Sequence, residues 1–202
     1  MPGSCRFLVS SPTPESLPEE SRAEVIFIGR ANAGKSSLLN GVMGRTNLVI
    51  TSSKPGRTQT LNFFQVGPTP GELTLVDAPG YGQRGRPEWG RVFEHYLQTR
   101  KSLRRVFLLV NAKHGFSEYD GMMLQDIDRR FKQAAGLSFT YQLVLTKVDE
   151  IRARQVPGVK NQVESEALEI TGALGPGALV TSIKGNGFGI GTLRDAIVGA
   201  CN

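Results

Sequence analysis

Cysteine is nearly missing from this chain: the 202 residues hold two, Cys5 and Cys201, close to opposite ends. Two such thiols cannot build a disulfide framework, and no metal-ligand spacing is present, so a reducing compartment is the natural setting. Long apolar runs are missing too. None approaches the ~20 residues needed to cross a bilayer, so no membrane partner is expected. Internal repeats are absent. Met1 to Arg22 is rich in proline and serine. It does not read as a secretory signal, and it holds too little arginine for a complete transit peptide. The expectation is a flexible lead-in over 1–22 and one domain over 23–202. What is plentiful is ordinary: 39% hydrophobic residues, enough for a full core, with a net charge of +6 and a pI near 9.6. That balance suits a phosphate-bearing partner, most simply RNA rather than DNA, although a basic surface also serves solubility.

One stretch organises the rest. Val25-Ile26-Phe27-Ile28 is an apolar run, and Gly29-Arg30-Ala31-Asn32-Ala33-Gly34-Lys35-Ser36 follows it directly, ahead of Ser37-Leu38-Leu39-Asn40. This is G-x-x-x-x-G-K-S between a strand and a helix, the context that gives the motif meaning. Glycines at 29 and 34 let the backbone curl so that its N–H groups face a polyphosphate. The helix beginning near Lys35 adds the positive end of its dipole. The candidate cradle is therefore Gly29, Asn32, Ala33, Gly34, Lys35, Ser36 and Ser37. Lys35 is placed to reach the β- and γ-phosphates, and the Ser36 hydroxyl to ligate Mg²⁺.

Strands and helices alternate along the chain. Strands are expected at 25–28, 61–66, 72–76, 106–110, 143–145 and 178–180. Helices are expected at 36–43, 91–103, near 117–131 with Met123, Ile127 and Phe131 on one core face, at 157–174 and at 192–201. The turn at 67–71 makes the 61–66 strand one arm of an antiparallel hairpin. The pattern gives an α/β fold, a doubly wound sheet of six strands with one antiparallel strand, helices on both faces and no second domain.

The remaining chemistry follows strand ends, where ligands bind in open α/β sheets. Asp77 ends a strand and would hold Mg²⁺ through a water, while the Gly80 N–H can approach a γ-phosphate. Thr146-Lys147-Val148-Asp149 chooses the base. A carboxylate at Asp149 accepts from guanine N1–H and the exocyclic amine, whereas adenine offers neither donor and would leave it unpaired. The Lys147 stem can lie along the base. Ser182-Ile183-Lys184 ends the next strand, where a backbone N–H can reach guanine O6. The implied ligand is GTP or GDP with Mg²⁺.

Together these residues resemble the EngB/YihA/YsxC family of ribosome-biogenesis GTPases, over about Glu24 to Ala200. The marks are Gly-Arg-Ala-Asn-Ala-Gly-Lys-Ser-Ser at 29–37, Lys-Pro-Gly-Arg-Thr-Gln at 54–59, Asn62-Phe63-Phe64, Asp-Ala-Pro-Gly-Tyr-Gly at 77–82, Trp89-Gly90 with Tyr96-Leu97, and Thr-Lys-Val-Asp at 146–149. The resemblance implies a single GTPase domain. It implies nucleotide contacts from Gly56, Arg57 and Thr58, with Thr58 a Mg²⁺ ligand in the GTP state. It also implies a role in assembling the large ribosomal subunit and its rRNA. The chain departs from the family at Asn111-Ala112-Lys113-His114-Gly115, where Asp-x-Arg-His-Gly is usual, and in the connection 132–140. These departures point to an organellar member in the mitochondrial matrix, with the bacterial cytoplasm as the alternative. His114 reads as a turn residue rather than a base.

Basic residues gather in two groups, Arg84, Arg86, Arg91, Arg100, Lys101, Arg104 and Arg105, then Arg129, Arg130 and Lys132. The first group reads as an rRNA contact beside the second switch loop. Rival readings are a P-loop ATPase or kinase, which Asp149 opposes, a nucleotide-gated rRNA-binding scaffold with negligible turnover, and a tRNA-modification GTPase module. Tyr81 stands where Ras-type proteins carry the water-orienting Gln, so slow turnover is expected. No internal arginine finger is evident besides Arg57. Asn32, two residues before Gly34, resembles GTPases that bind K⁺ beside the phosphates; its alternative is a brace for the loop.

Overall fold

The computed structural model describes residues 5–20, 23–45, 48–49, 60–67, 73–81, 91–133, 139–171 and 175–201, without the side chains of Phe131 and Gln133. Gly56, Arg57, Thr58, Arg84, Arg86, Trp89 and the 134–138 connection lie outside them. The strands are β1 (Cys5–Ser11), β2 (Glu24–Gly29), β3 (Leu61–Val66), β4 (Leu73–Asp77), β5 (Leu103–Asn111), β6 (Thr140–Thr146) and β7 (Leu179–Val180). The helices are α1 (Lys35–Met43), α2 (Arg91–Thr99), α3 (Glu118–Gln133), α4 (Val156–Thr171) and α5 (Ile190–Cys201). They form one sheet in the order β1-β3-β4-β2-β5-β6-β7.

β2 is central and wholly buried. It pairs in parallel with β4 on one side and β5 on the other. Its alternate side chains enter two cores. Ile26 and Ile28 pack with Val92, Phe93, Met123, Leu124 and Ile127 beneath α2, α3 and α4. Val25 and Phe27 pack with Leu38, Leu39, Leu193 and Ile197 beneath α1 and α5. Phe27 stacks on Phe107 of β5, centroids 4.8 Å apart. Burial on both faces is why β2 and β5 read as unbroken apolar runs.

Two expectations change. The sheet has seven strands among the described residues, because Cys5–Ser11, inside the expected lead-in, is an edge strand antiparallel to β3. β3 is antiparallel to β4 as well, so it remains the one strand running against the rest. The reason is edge chemistry: β3 alone would present an open row of amides and Phe64. β1 pairs with the first and sets Phe7 edge-on to the second, centroids 5.6 Å apart. Helix α2 also stops earlier than expected, at Thr99, and the chain turns at Arg100 to Ser102 into β5.

Arg100 explains that stop and corrects its assignment to an RNA surface. Its side chain is 6% exposed and that of Glu24 is 0% exposed. The guanidinium forks onto Glu24 through Nε to Oε2 at 2.9 Å and Nη2 to Oε1 at 2.7 Å. It also donates to the carbonyls of Pro18 and Glu19, and it lies against the rings of Phe63 and Tyr96. The Tyr96 hydroxyl donates to the same Glu24 at 2.8 Å. Arg100 thus clamps the segment between β1 and β2 beneath the amino end of the sheet. Removing one partner of a buried pair strands the other, at a cost of about 3–5 kcal/mol. Arg100→Met should therefore lose about that much stability in urea unfolding, and Arg100→Lys should recover little of it, since one ammonium cannot reproduce the fork. A loss below about 1 kcal/mol would show the clamp to be incidental.

Candidate functional site

The loops expected to carry chemistry leave the carboxyl ends of β2, β4, β6 and β7. β2 is the point at which the strand order reverses, with β4 on one side and β5 on the other. That is the crevice where open α/β sheets bind ligands. Gly29 closes β2, and a Cβ there would meet Leu109 Cβ at 3.0 Å; only glycine lets β5 approach this closely. Asn32 and Gly34 then take left-handed φ values of 66° and 87°, curling the loop into α1 at Lys35. Ala33 is buried, and Ser36 and Ser37 are half-buried in the first turn.

The structure brings most of the proposed residues together. The Lys35 ammonium is paired with the Asp77 carboxylate, their side chains 10% and 7% exposed. Each charge satisfies the other. Thr146 Oγ1 donates to the Ala33 carbonyl at 2.6 Å, tying the base loop to the phosphate loop. Lys147, at a left-handed φ of 56°, lays its stem over Gly34: a Cβ on that glycine would sit 3.5 Å from Lys147 Cε.

Asp149 is oriented from the β7 side. Ser182 Oγ donates to its Oδ1 at 2.6 Å, and Lys184 Nζ lies 3.0 Å from its Oδ2. Those two partners hold the Asp149 carboxyl below the usual carboxylate range. The Val148 N–H donates to the Thr181 carbonyl at 3.3 Å, so the two loops move as one. Ile183 is 46% exposed on the same loop.

Gly80 sits against the P-loop, where a Cβ would be 3.2 Å from the Ala31 nitrogen. Tyr81 continues the contact, accepting from the Ala31 N–H at 3.0 Å and donating its own N–H to the Gly29 carbonyl at 3.3 Å. Its ring is turned into the core, and its hydroxyl donates to Asp120 Oδ1 at 2.7 Å. Arg30 Nε lies 3.3 Å from Asp120 Oδ2. Sequence reasoning missed this Arg30–Tyr81–Asp120 cluster. Its one local signal is a serine three residues before Asp120: the Ser117 N–H and hydroxyl donate to that carboxylate.

Among the described residues the two basic groups are spread over separate places, and Arg84 and Arg86 lie outside those residues. Arg100 is buried. Lys101 and Arg104 lie at the amino end of β5, the opposite end of the sheet from the P-loop. Arg105 is occupied by Thr140, Gln142 and the Ala196 carbonyl. Arg129 and Arg130 pair with Asp126, and Lys132 with Asp128, along α3. His114 lies exposed in the turn after β5. Among the described residues no cluster of three or more His, Cys, Asp or Glu side chains stands ready for a metal. No helix there is long and apolar enough to cross a membrane.

The chain was compared with known proteins. Residues 24–147 match the family model described as 50S ribosome-binding GTPase. The probable GTP-binding protein EngB of Rhodospirillum rubrum is 40% identical over 197 residues, covering 94% of this chain and 81% of that protein. The probable GTP-binding protein EngB of Rhodopseudomonas palustris is 38% identical over 201 residues, covering 97% and 88%. Among solved structures, Era in complex with MgGDPNP and a 16S ribosomal RNA fragment superposes with a TM-score of 0.64 at 22% identity, covering 88% of this chain and 56% of that one. The elongation factor SelB of Methanococcus maripaludis with GPPNHP gives 0.63 at 17% identity, covering 91% and 34%. These last two show the shared fold. From the family match and the EngB relatives together, the chain belongs to the EngB/YihA family of GTP-binding proteins, within the 50S ribosome-binding GTPases.

Proposed function

We propose that this chain is a Mg²⁺-dependent GTP switch that hydrolyses GTP slowly and acts in assembly of the large ribosomal subunit. The observation that carries the nucleotide reading is the joining of the base loop to the phosphate loop. The Thr146–Ala33 and Asp149–Ser182 hydrogen bonds hold a base-reading carboxylate at a fixed place relative to the P-loop.

In this reading the P-loop amides and Lys35 hold the phosphates, and the Gly80 N–H meets the γ-phosphate. Ser36 and Asp77 supply hard oxygen donors of the kind Mg²⁺ takes, with Thr58 joining in the GTP state. When bound, the cation offsets charge on the β- and γ-phosphate oxygens. Lys35 exchanges Asp77 for phosphate as the nucleotide enters. Tyr81 supplies no water-orienting group. Burial, then the Asp120 charge, push its phenol well above the ordinary value, so the hydroxyl stays a donor to Asp120. That contact supports slow intrinsic turnover. It is also the observation that favours the second reading, a nucleotide-gated rRNA-binding scaffold with negligible turnover.

The large subunit as partner rests on the family. Among the described residues, Arg91 and Lys101 are the exposed members of the first basic group for RNA contact. The EngB relatives are from bacteria, which favours the bacterial cytoplasm over the mitochondrial matrix.

Base choice is tested at Asp149. Asp149→Asn should lower GTP affinity by about ten-fold or more and improve relative binding of xanthine nucleotides, whose oxygen replaces the guanine amine. The lowered Asp149 pKa means that wild-type affinity should hold as pH falls toward the ordinary carboxylate value and drop only below it. Unchanged GTP and XTP affinities in the variant would remove Asp149 from the base site.

Partner choice is tested by co-sedimentation with ribosomal subunits under GDP and a non-hydrolysable GTP analogue. Wild type should pellet with the large subunit under the analogue and fall away steeply with salt. Thr58→Ala should lose the nucleotide dependence. Equal pelleting under both nucleotides for wild type would remove the switch. Single-turnover hydrolysis with and without subunits separates the two readings.

For Asn32 we propose a monovalent-ion role beside the phosphates. Hydrolysis in KCl should exceed that in NaCl by ~10–100-fold, less than the 10³–10⁵ of an arginine finger, and Asn32→Ala should abolish the difference. Equal rates in the two salts for wild type would leave Asn32 as a loop brace.

A further inference from the structure

Among the described residues, Asp120 is a fully buried carboxylate outside the expected nucleotide contacts, at the start of α3. Four donors converge on it. Tyr81 Oη reaches Oδ1 at 2.7 Å. The Ser117 N–H and hydroxyl reach Oδ2 at 2.8 and 2.7 Å, and Arg30 Nε stands 3.3 Å from the same oxygen. The donors arrive from three different places: the P-loop, the loop after β4 and the turn that starts α3. Capping α3 would need Ser117 alone, and filling the core would need no charge. Bringing Arg30 and Tyr81 to one carboxylate does something neither role requires.

The backbone shows what that is. Tyr81 exchanges two hydrogen bonds with the P-loop, at Ala31 and Gly29, and Gly80 packs on the Ala31 backbone. The ring of Tyr81 anchors the far end of the same residue. The Gly80–Tyr81 peptide is thereby held through its Tyr81 N–H, and it joins at the Gly80 Cα the Pro79–Gly80 peptide that carries the Gly80 N–H, so the clamp restricts where that N–H can point. Placing an N–H toward where charge will sit is the kind of preorganisation that discriminates ligands by one phosphate.

We infer that Asp120 and Arg30 are positioning residues: they clamp Tyr81 so that Gly80 is aimed at the γ-phosphate, and so set the preference for GTP over GDP. The inference rests on the proposed place of Gly80 in the γ-phosphate site. The raised Tyr81 phenol agrees with it, since a protonated hydroxyl remains a donor to a charged carboxylate. It assigns Asp120 a role that acts through Tyr81 and not on the nucleotide directly.

The experiment measures dissociation constants for GDP and a non-hydrolysable GTP analogue, with Mg²⁺, for wild type, Tyr81→Phe, Asp120→Asn and the double variant. Tyr81→Phe keeps the ring in the core and deletes one hydroxyl, so it folds even if Asp120→Asn does not. GDP affinity of Tyr81→Phe should stay close to wild type, while its melting temperature falls by the few degrees that one buried hydrogen bond to a carboxylate is worth. Its preference for the analogue over GDP should fall about ten-fold, the size of one hydrogen bond to a charged group, and single-turnover hydrolysis should fall with it. The double variant should lose no more preference than Asp120→Asn alone, because the two act through one contact. Equal losses for GDP and analogue would mean that the cluster is merely structural and would overturn the inference. A Tyr81→Phe protein as selective as wild type would also overturn it and leave the γ-phosphate site standing. Wild type with no preference between the two nucleotides would overturn the γ-phosphate site itself, and the clamp with it.

Discussion

The structure depends on one constraint, the complete burial of β2 between two layers of helices. A strand with no exposed face must pair on both edges and fill two cores, and β2 does so through Val25 and Phe27 on one side and Ile26 and Ile28 on the other. Because both neighbouring pairings are parallel, the chain has to leave the sheet at its carboxyl edge and return by a crossover. Every loop that carries chemistry is therefore delivered to one edge. Gly29 is the point of exit, and its missing side chain lets Leu109 close over the sheet just below the phosphate loop.

The two ends of the sheet are specialised by charge in opposite ways. At the amino end, Glu24 and Arg100 neutralise each other in the interior and hold the 18–20 segment in place. That pairing fixes the shape and has no ligand to meet. At the carboxyl end, Lys35 pairs with Asp77 and Asp149 with the exposed Lys184. In the proposed reading these are the charges that meet a phosphate, a cation and a base. Asp120 stands between the two kinds, fully buried like Glu24 yet tied to the two loops that surround the phosphates.

Functional loops on a rigid scaffold are usually coupled by motion. Here the base loop and the phosphate loop are coupled by hydrogen bonds already formed, Thr146 to Ala33 and Val148 to Thr181. In the proposed reading, selectivity for the base and grip on the phosphates belong to a single body. The bond from Tyr81 to Asp120 ties the loop after β4 to the start of α3 in the same way.

Much of this was legible in order along the chain. The strand–turn–helix context of Gly29 to Ser36, the strand-terminal Asp77, Asp149 in the turn just after β6, and the alternation of strands and helices are all local patterns, set by side-chain period and by glycine. They hold because burial of a parallel strand and curling of a phosphate loop each demand particular residues within a few positions. The additional strand was not legible, since Cys5–Ser11 is largely exposed, has no buried apolar face and borders a stretch rich in proline and serine; it is a strand because β3 offers an edge. The burial of Arg100 was not legible either, since its partner Glu24 lies 76 residues away and arginine carries no mark of its destination. Nor was the turning of Tyr81 toward Asp120, 39 residues on. A pattern in sequence encodes what neighbours along the chain require. Whether a charge is a surface group or a core group depends on which distant group meets it, and packing alone decides that.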